Sequence, residues 1–257
     1  MAGAPLALSP GGLAELAPLS KAAYFLDVDG TLLEIKPRPE DVIADAGLLT
    51  LLTELAAAAQ GALALVSGRK IEDLDRIFAP LTFPAAGLHG AEIRFADGTR
   101  VAPPEGTMDK VRQPLADFVA AHPALRLEDK GAALAIHFRQ VPDLAETVLN
   151  FAGALAKHHG LFMQEGKMVA ELKDALHDKG QGIAALLATP PFSGRLPVFI
   201  GDDRTDENGF LFVNAQGGVS VRAGSATATQ ARYQLRDPDD VRKELQQLLS
   251  SLKTMRG

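Results

Sequence analysis

The sequence predicts an α/β fold, with a parallel-sheet core interrupted by an inserted α+β segment. Three observations carry that prediction. Short apolar runs alternate with helical repeats up to about residue 80, and the pattern resumes after residue 179. Between the two stretches the pattern changes to helix, strand, strand, twice over. Two carboxylate clusters, at residues 27–29 and 202–206, close two of the apolar runs, and the carboxyl edge of such strands is where open α/β sheets place their chemistry.

Residues 22–26 are uniformly apolar and read as a buried strand, beyond which Gly30 permits a sharp turn. Leucines at 48, 49, 51, 52 and 55 give a helix over residues 45–59, closed by Gly61. Residues 62–66 form a second buried strand ending in Ser67-Gly68-Arg69, and Ile71, Leu74, Ile77 and Phe78 mark a helix stopped by Pro80. A third strand is expected over 85–89, then a hairpin of residues 92–94 and 99–101 around Asp97-Gly98. The insertion follows as helix 111–121, strands 125–128 and 133–138, helix 144–159, and strands 161–164 and 168–172, an αββαββ unit with its own antiparallel layer. The core resumes with a helix over 179–188, strands 196–200 and 218–221, and a terminal helix over 239–252. The expected organisation is a Rossmann-like core of residues 1–106 and 174–257 carrying an α+β cap of residues 107–173.

With 257 residues, 47% of them hydrophobic, the chain can bury a sizeable core. A net charge of −6, no long basic run and 5% aromatic residues give no support to a nucleic-acid surface. Cysteine is absent, which excludes disulfides and thiolate metal sites and fits a reducing compartment. The first twenty residues lack the basic start of a secretory signal, and no run is long enough to span a bilayer. The expectation is a cytoplasmic protein with a loose N-terminal leader, and nothing in the sequence points to an oligomeric state.

A parallel sheet would gather four separated signals: Asp27 and Asp29; Ser67; Lys179; and Asp202 with Asp203 and Asp206. Paired carboxylates repel unless an oxygen-seeking ion such as Mg2+ lies between them, and such an ion also holds a phosphoryl oxygen. A serine hydroxyl can donate to that phosphoryl group, and an ammonium offsets charge growing on its oxygens. Singly, Ser67 also fits a turn residue, Lys179 an exposed lysine at a helix start, and Asp202 an N-cap. The four together, in this order, favour a site.

At these positions the chain resembles the haloacid dehalogenase superfamily of phosphotransferases, whose pattern is D-x-D-G-T, a Ser or Thr after the second strand, a Lys, and G-D-D-x-x-D. The matches are Asp27-Val28-Asp29-Gly30-Thr31, Ser67, Lys179 and Gly201-Asp202-Asp203-Arg204-Thr205-Asp206. The resemblance implies Asp27 as nucleophile, forming an aspartyl-phosphate, and Asp29 as acid to the leaving alcohol and then base to water. It implies Mg2+ held by Asp27, the Asp29 backbone carbonyl and Asp202, with Asp203 and Asp206 acting through water or on Lys179.

A finer resemblance, over nearly the whole chain, is to trehalose-6-phosphate phosphatases. It rests on Ser67-Gly68-Arg69, Gly87-Leu88-His89-Gly90-Ala91-Glu92, Glu128-Asp129-Lys130-Gly131, His137-Phe138-Arg139, the stretch 166–172, and Gly201 through Glu207. The chain departs from the family at Leu172-Lys173-Asp174, where a basic residue and proline are usual. The resemblance implies Mg2+-dependent hydrolysis of trehalose 6-phosphate, as in trehalose biosynthesis, with a cap that closes over the sugar. By it, Arg69, Lys130, Arg139, Glu165, Lys167 and Glu171 fall on the substrate; a solvated strand face with cross-strand ion pairs is the plainer reading of the cap residues. His89 is read as a core histidine without a catalytic role, and His158-His159 as a helix C-terminus suited to the dipole. Competing readings are a phosphatase for sucrose phosphate or mannosyl-phosphoglycerate, a phosphosugar mutase, and a non-catalytic sugar-phosphate sensor.

Overall fold

A computed structural model of the chain describes residues 4–36, 38–102, 106, 108–131, 133–166, 168–174, 177–225 and 228–254. In chain order its elements begin with β1 (Leu6–Ala7), α1 (Gly12–Leu16), β2 (Ala22–Leu26), α2 (Ala46–Ala58), β3 (Leu63–Val66), α3 (Ile71–Ile77) and β4 (Ala85–Gly87). Next come β5 (Glu92–Arg94), β6 (Arg100–Val101), α4 (Asp109–Ala120), β7 (Arg126–Asp129), β8 (Ala133–His137), α5 (Ala145–His159), β9 (Leu161–Gly166) and β10 (Val169–Asp174). The chain ends with α6 (Lys179–Leu187), β11 (Leu196–Gly201), α7 (Glu207–Ala215), β12 (Val219–Ala223), β13 (Tyr233–Leu235) and α8 (Pro238–Thr254). It divides into two compact units, Met1–Val101 with Asp178–Gly257, and Ala102–His177.

The first unit is a nine-stranded sheet in the order β1-β13-β12-β11-β2-β3-β4-β5-β6. Its pairs are parallel from β1 to β4, and only the β4–β5 and β5–β6 pairs are antiparallel. Strands buried on both faces read as continuous apolar runs, which is why β2, β3 and β11 were recognisable from sequence. Strand order reverses between β2 and β11, creating the switch point outside whose carboxyl ends α/β proteins bind ligands. Phe25 stacks on Phe192, and Phe199 meets Phe210 at a tilt, within the core around these strands.

The N-terminal segment is not a loose leader. Leu6 and Ala7 pair in parallel with Tyr233 and Gln234, and Leu13 is fully buried. The buried Glu244 carboxylate of α8 accepts from the Gly11 and Leu13 N–H groups, both at 2.8 Å, satisfying donors that the start of α1 would otherwise leave open. The terminal helix supplies this anchor from 231 residues away.

The second unit is a four-stranded antiparallel sheet, β7-β8-β10-β9. Leu134, Ile136, Ala170 and Leu172 pack against Val111 and Leu115 of α4 and Val148 and Ala152 of α5. The helices therefore cover one face of the sheet. Glu128, Ala135, Glu171 and Gln164 are successive cross-strand partners and share the other face.

Candidate active site

Asp27 is the first residue beyond β2, and its N–H continues the ladder by donating to the Ile200 carbonyl at 3.0 Å. The chain then doubles back, because the Leu32 and Leu33 N–H groups donate to the Val28 carbonyl and the Gly30 N–H to the Leu33 carbonyl. Gly30 sits at φ +83°, and a Cβ there would lie 2.2 Å from Asp202 Oδ2. Only glycine meets both conditions. The turn thus brings the Asp202 carboxylate, delivered by β11, against the Asp27 loop. Thr31 Oγ1 donates to Asp27 Oδ2 at 3.2 Å and fixes the carboxylate from the other side.

Lys179 opens α6, whose N-cap Asp178 accepts from the Gln181 N–H. It is buried rather than exposed, at 3%. Its Nζ donates to Asp27 Oδ1 at 2.7 Å and to Asp206 Oδ1 at 2.6 Å. Asp206 is fully buried, and its second oxygen accepts from the Asp202 and Asp203 N–H groups, both at 2.9 Å. Asp203, not Asp202, is the N-cap, accepting from the Thr205 N–H. The β11 turn, the ammonium and the nucleophile candidate are thereby joined in one hydrogen-bonded chain.

Burial raises the Asp27 carboxyl well above the usual carboxylate range; Lys179 opposes the rise, while Asp206 and Asp202 add to it. Burial alone would lower the Lys179 pKa, but Asp206, Asp27 and Asp203 outweigh it, so its pKa rises and the ammonium persists. One ammonium does not neutralise three carboxylates. Oxygen atoms of Asp27, Asp202 and Asp206 lie within 4.8 Å of one another. An all-oxygen set with excess negative charge, in a chain without cysteine, fits a hard divalent cation such as Mg2+. The Asp29 carboxylate is not part of that group.

Asp29 is instead held by Arg69, whose Nε and Nη2 donate to its two oxygens at 2.6 and 2.7 Å. This bidentate geometry fixes both distance and plane. The same guanidinium donates through Nη1 to the Pro39 carbonyl at 3.0 Å. The buried Ser67 follows β3, and its Oγ accepts from the Arg69 N–H at 3.2 Å. Sequence reasoning had placed Arg69 on the substrate; here it is engaged with the carboxylate expected to serve as acid and base.

In the second unit, Lys130 Nζ donates to Glu171 Oε1 at 2.8 Å. Beside them His137 Nε2 and Glu128 Oε2 are 2.8 Å apart, and that hydrogen bond, aided by Lys130, holds the Glu128 carboxyl below its ordinary pKa against the opposing effect of burial. Glu128 and His137 had been assigned no role, although the Glu-x-Lys alternation at 128 and 130 could have signalled a shared face. Glu165 does not join this set: it pairs with Ala170, on the helix-covered side of the sheet. Arg139 is exposed just past β8. Lys167 lies outside the described residues.

The fold that carries the switch-point carboxylate following β2, the lysine at the start of α6 and the acidic turn after β11 is that of the haloalkanoate (HAD) superfamily phosphatases. A phosphatase of that superfamily from Bacteroides thetaiotaomicron superposes with a TM-score of 0.61 at 18% identity, covering 92% of this chain and 95% of the other. A family model described as Trehalose-phosphatase matches residues 25–239, and the chain belongs to that family. Trehalose-6-phosphate phosphatase of Escherichia coli (strain K12) is 42% identical over 240 residues, spanning 92% of this chain and 90% of the relative. The C-terminal domain of C. albicans trehalose-6-phosphate phosphatase shares the fold with a TM-score of 0.84 at 21% identity, covering 97% of this chain and 99% of that domain.

Proposed function

We propose that this phosphatase hydrolyses trehalose 6-phosphate to trehalose and inorganic phosphate through an aspartyl-phosphate on Asp27. The observation that carries the reading is the buried Asp27–Lys179–Asp206 chain, with Asp202 beside it, at the sheet's switch point. Identity of 42% with the E. coli enzyme, over nearly the full length of both chains, supports the choice of substrate.

In the first half-reaction an Asp27 oxygen attacks phosphorus as the bond to the sugar oxygen breaks, and Asp29 delivers the proton the leaving alkoxide needs. In the second, water attacks the same phosphorus, Asp29 takes its proton, and phosphate departs with the Asp27 carboxylate restored. Arg69 holds the Asp29 carboxyl at the site through both of its oxygens, and one of these hydrogen bonds opens when Asp29 carries the proton. Lys179 offsets negative charge on the transferring group, and Ser67 donates to it from the end of β3. Asp27, Asp202 and the Asp29 carbonyl would hold Mg2+, which supplies charge neutralisation that lets an anionic nucleophile approach an anionic ester. Asp203 and Asp206 act behind them, Asp206 by holding Lys179 and the Asp202–Asp203 backbone. The paired charges on the open strand face of the inserted unit, Lys130 with Glu171 and Glu128 with His137, are suited to sugar hydroxyls, which both donate and accept.

The test is phosphate release with Mg2+ from trehalose 6-phosphate, sucrose 6-phosphate, glucose 6-phosphate and mannosyl-phosphoglycerate. The expected preference for trehalose 6-phosphate in kcat/KM is about a hundredfold or more, with Asp27→Asn folded and inactive. Greater efficiency on another ester would reassign the substrate, and no release from any would leave a sensor.

A further inference from the structure

The segment 87–92 is tied to the turn that carries Ser67 and Arg69 by three hydrogen bonds. The His89 N–H donates to the Ser67 carbonyl at 3.0 Å, the Leu88 N–H to the Arg69 carbonyl at 2.9 Å, and Glu92 Oε2 accepts from the Ile71 N–H at 2.9 Å. Leu88 and His89 both adopt left-handed backbone, at φ +50° and +56°, a conformation that side-chain-bearing residues adopt only when their surroundings impose it. The imidazole of His89, 7% exposed, lies directly on Gly68: a Cβ there would stand 2.7 Å from both Cε1 and Nε2 of the ring. On its far side the segment abuts the start of α6, since a Cβ on Gly90 would stand 2.4 Å from the Asp178 carbonyl oxygen. Asp178 precedes Lys179. Segment 87–90 is therefore a spacer wedged between the turn that carries Ser67 and Arg69 and the helix that carries Lys179.

We propose that His89 is a positioning residue: its imidazole, seated against Gly68, and its left-handed backbone fix where the Ser67 hydroxyl and the Arg69 guanidinium stand relative to Lys179. The inference rests on the roles given to Ser67 and Arg69 under the proposed function. It follows from the geometry that a methyl at position 68 and the ring at position 89 compete for the same space, so their substitutions must be coupled.

Gly68→Ala, His89→Gly, the double variant and Ser67→Ala are compared for kcat and KM on p-nitrophenyl phosphate with Mg2+, well below each protein's melting point. Glycine accepts the left-handed backbone of residue 89 without strain. Gly68→Ala and His89→Gly should each lower kcat about tenfold or more, as small displacements of catalytic groups do. In the His89→Gly background, Gly68→Ala should then cost less than about threefold, because the methyl occupies the vacated space. An unchanged kcat in folded His89→Gly overturns the proposal, as does an equal penalty for Gly68→Ala in both backgrounds. Should His89→Gly fail to fold, His89→Asn carries the same comparison, since asparagine also tolerates this backbone. Ser67→Ala separates the two possible failures. Unchanged turnover there removes the role of Ser67 and the inference with it, whereas a loss there without one in His89→Gly removes the inference alone.

Discussion

Replacing Lys179 with methionine removes the ammonium from between two buried carboxylates while preserving the length of the side chain. Nζ lies 2.7 Å from Asp27 and 2.6 Å from Asp206, and all three side chains are at most 4% exposed. Removing one partner from such a buried group typically costs about 3 to 5 kcal/mol, because the remaining charges keep their desolvation penalty and lose their attraction. At roughly 2 to 4 °C per kcal/mol for a chain of this size, the apoprotein should melt about 6 to 20 °C lower. The pH dependence identifies the cause. Asp27 is raised by burial and held back by Lys179, so the variant's Asp27 titrates higher still. A carboxyl whose folded pKa exceeds its unfolded value lets the native state bind a proton that the unfolded state does not, and stability falls as pH rises through that interval. The raised Lys179 pKa contributes stability that is fully present below its ordinary value of 10.5, so its loss is constant across neutral pH. The gap between variant and wild type should therefore be smallest at acid pH, where Asp27 is protonated in both, and widen once pH rises through the wild-type Asp27 titration, in circular-dichroism melts with EDTA. A variant melting within about 2 °C of wild type at every pH would falsify the buried three-charge arrangement.

Chelation should abolish phosphate release and Mg2+ restore it. Mg2+ at about a hundred times its dissociation constant should also stabilise the apoprotein by about 2.7 kcal/mol, an effect that Asp202→Asn should lose in the same melting assay. Glu171→Gln should lower kcat/KM for trehalose 6-phosphate about ten- to a thousandfold, as when buried polar groups lose partners, with little change on an aryl phosphate. Glu165→Gln, on the opposite face of the sheet, should leave both substrates within about threefold; equal losses for the two variants in steady-state kinetics would refute the assignment of faces. Glu244→Ala removes two hydrogen bonds to the start of α1 and should destabilise the protein by about 1 to 3 kcal/mol, with limited proteolysis cutting within the first seventeen residues; an N-terminus as resistant as wild type would contradict its anchoring.

The sheet's centre was readable in the sequence because β2, β3 and β11 are buried on both faces and therefore uniformly apolar, and the acidic residues that end β2 and β11 interrupt those runs sharply. The hairpin β5–β6 at one margin was readable too, from the Asp97-Gly98 turn, but the β1–β13 margin was not. β1 has two residues and β13 three, too few for any period to register, and their pairing is made by backbone groups that every sequence possesses. The N-terminal segment lacked a visible anchor because Glu244, the residue that holds it, reads on its own as one more charged position of a terminal helix. The α7 helix has no start signal of its own in the sequence, because it follows the Asp202–Asp206 cluster directly and shares its acidic residues.

Within the site, residue type was easier to read than residue partnership. Asp27, Lys179 and Asp206 were recognisable as a set because each closes or opens an element at the same edge of the sheet. The Arg69–Asp29 clamp was not, since nothing in Ser67-Gly68-Arg69 says which way a guanidinium turns. Glu165 shows the same limit in its simplest form. Gly166 pairs with Val169, so the β9–β10 hairpin has a two-residue loop, and each odd-numbered residue of one arm faces an even-numbered residue of the other. Glu165 and Glu171, both odd, must then project from opposite faces, one over Ala170 and the helices, the other beside Gln164 and Lys130. A charged residue near the end of a hairpin is thus assigned to a face by loop length, and miscounting the loop by one residue moves it to the other side of the sheet.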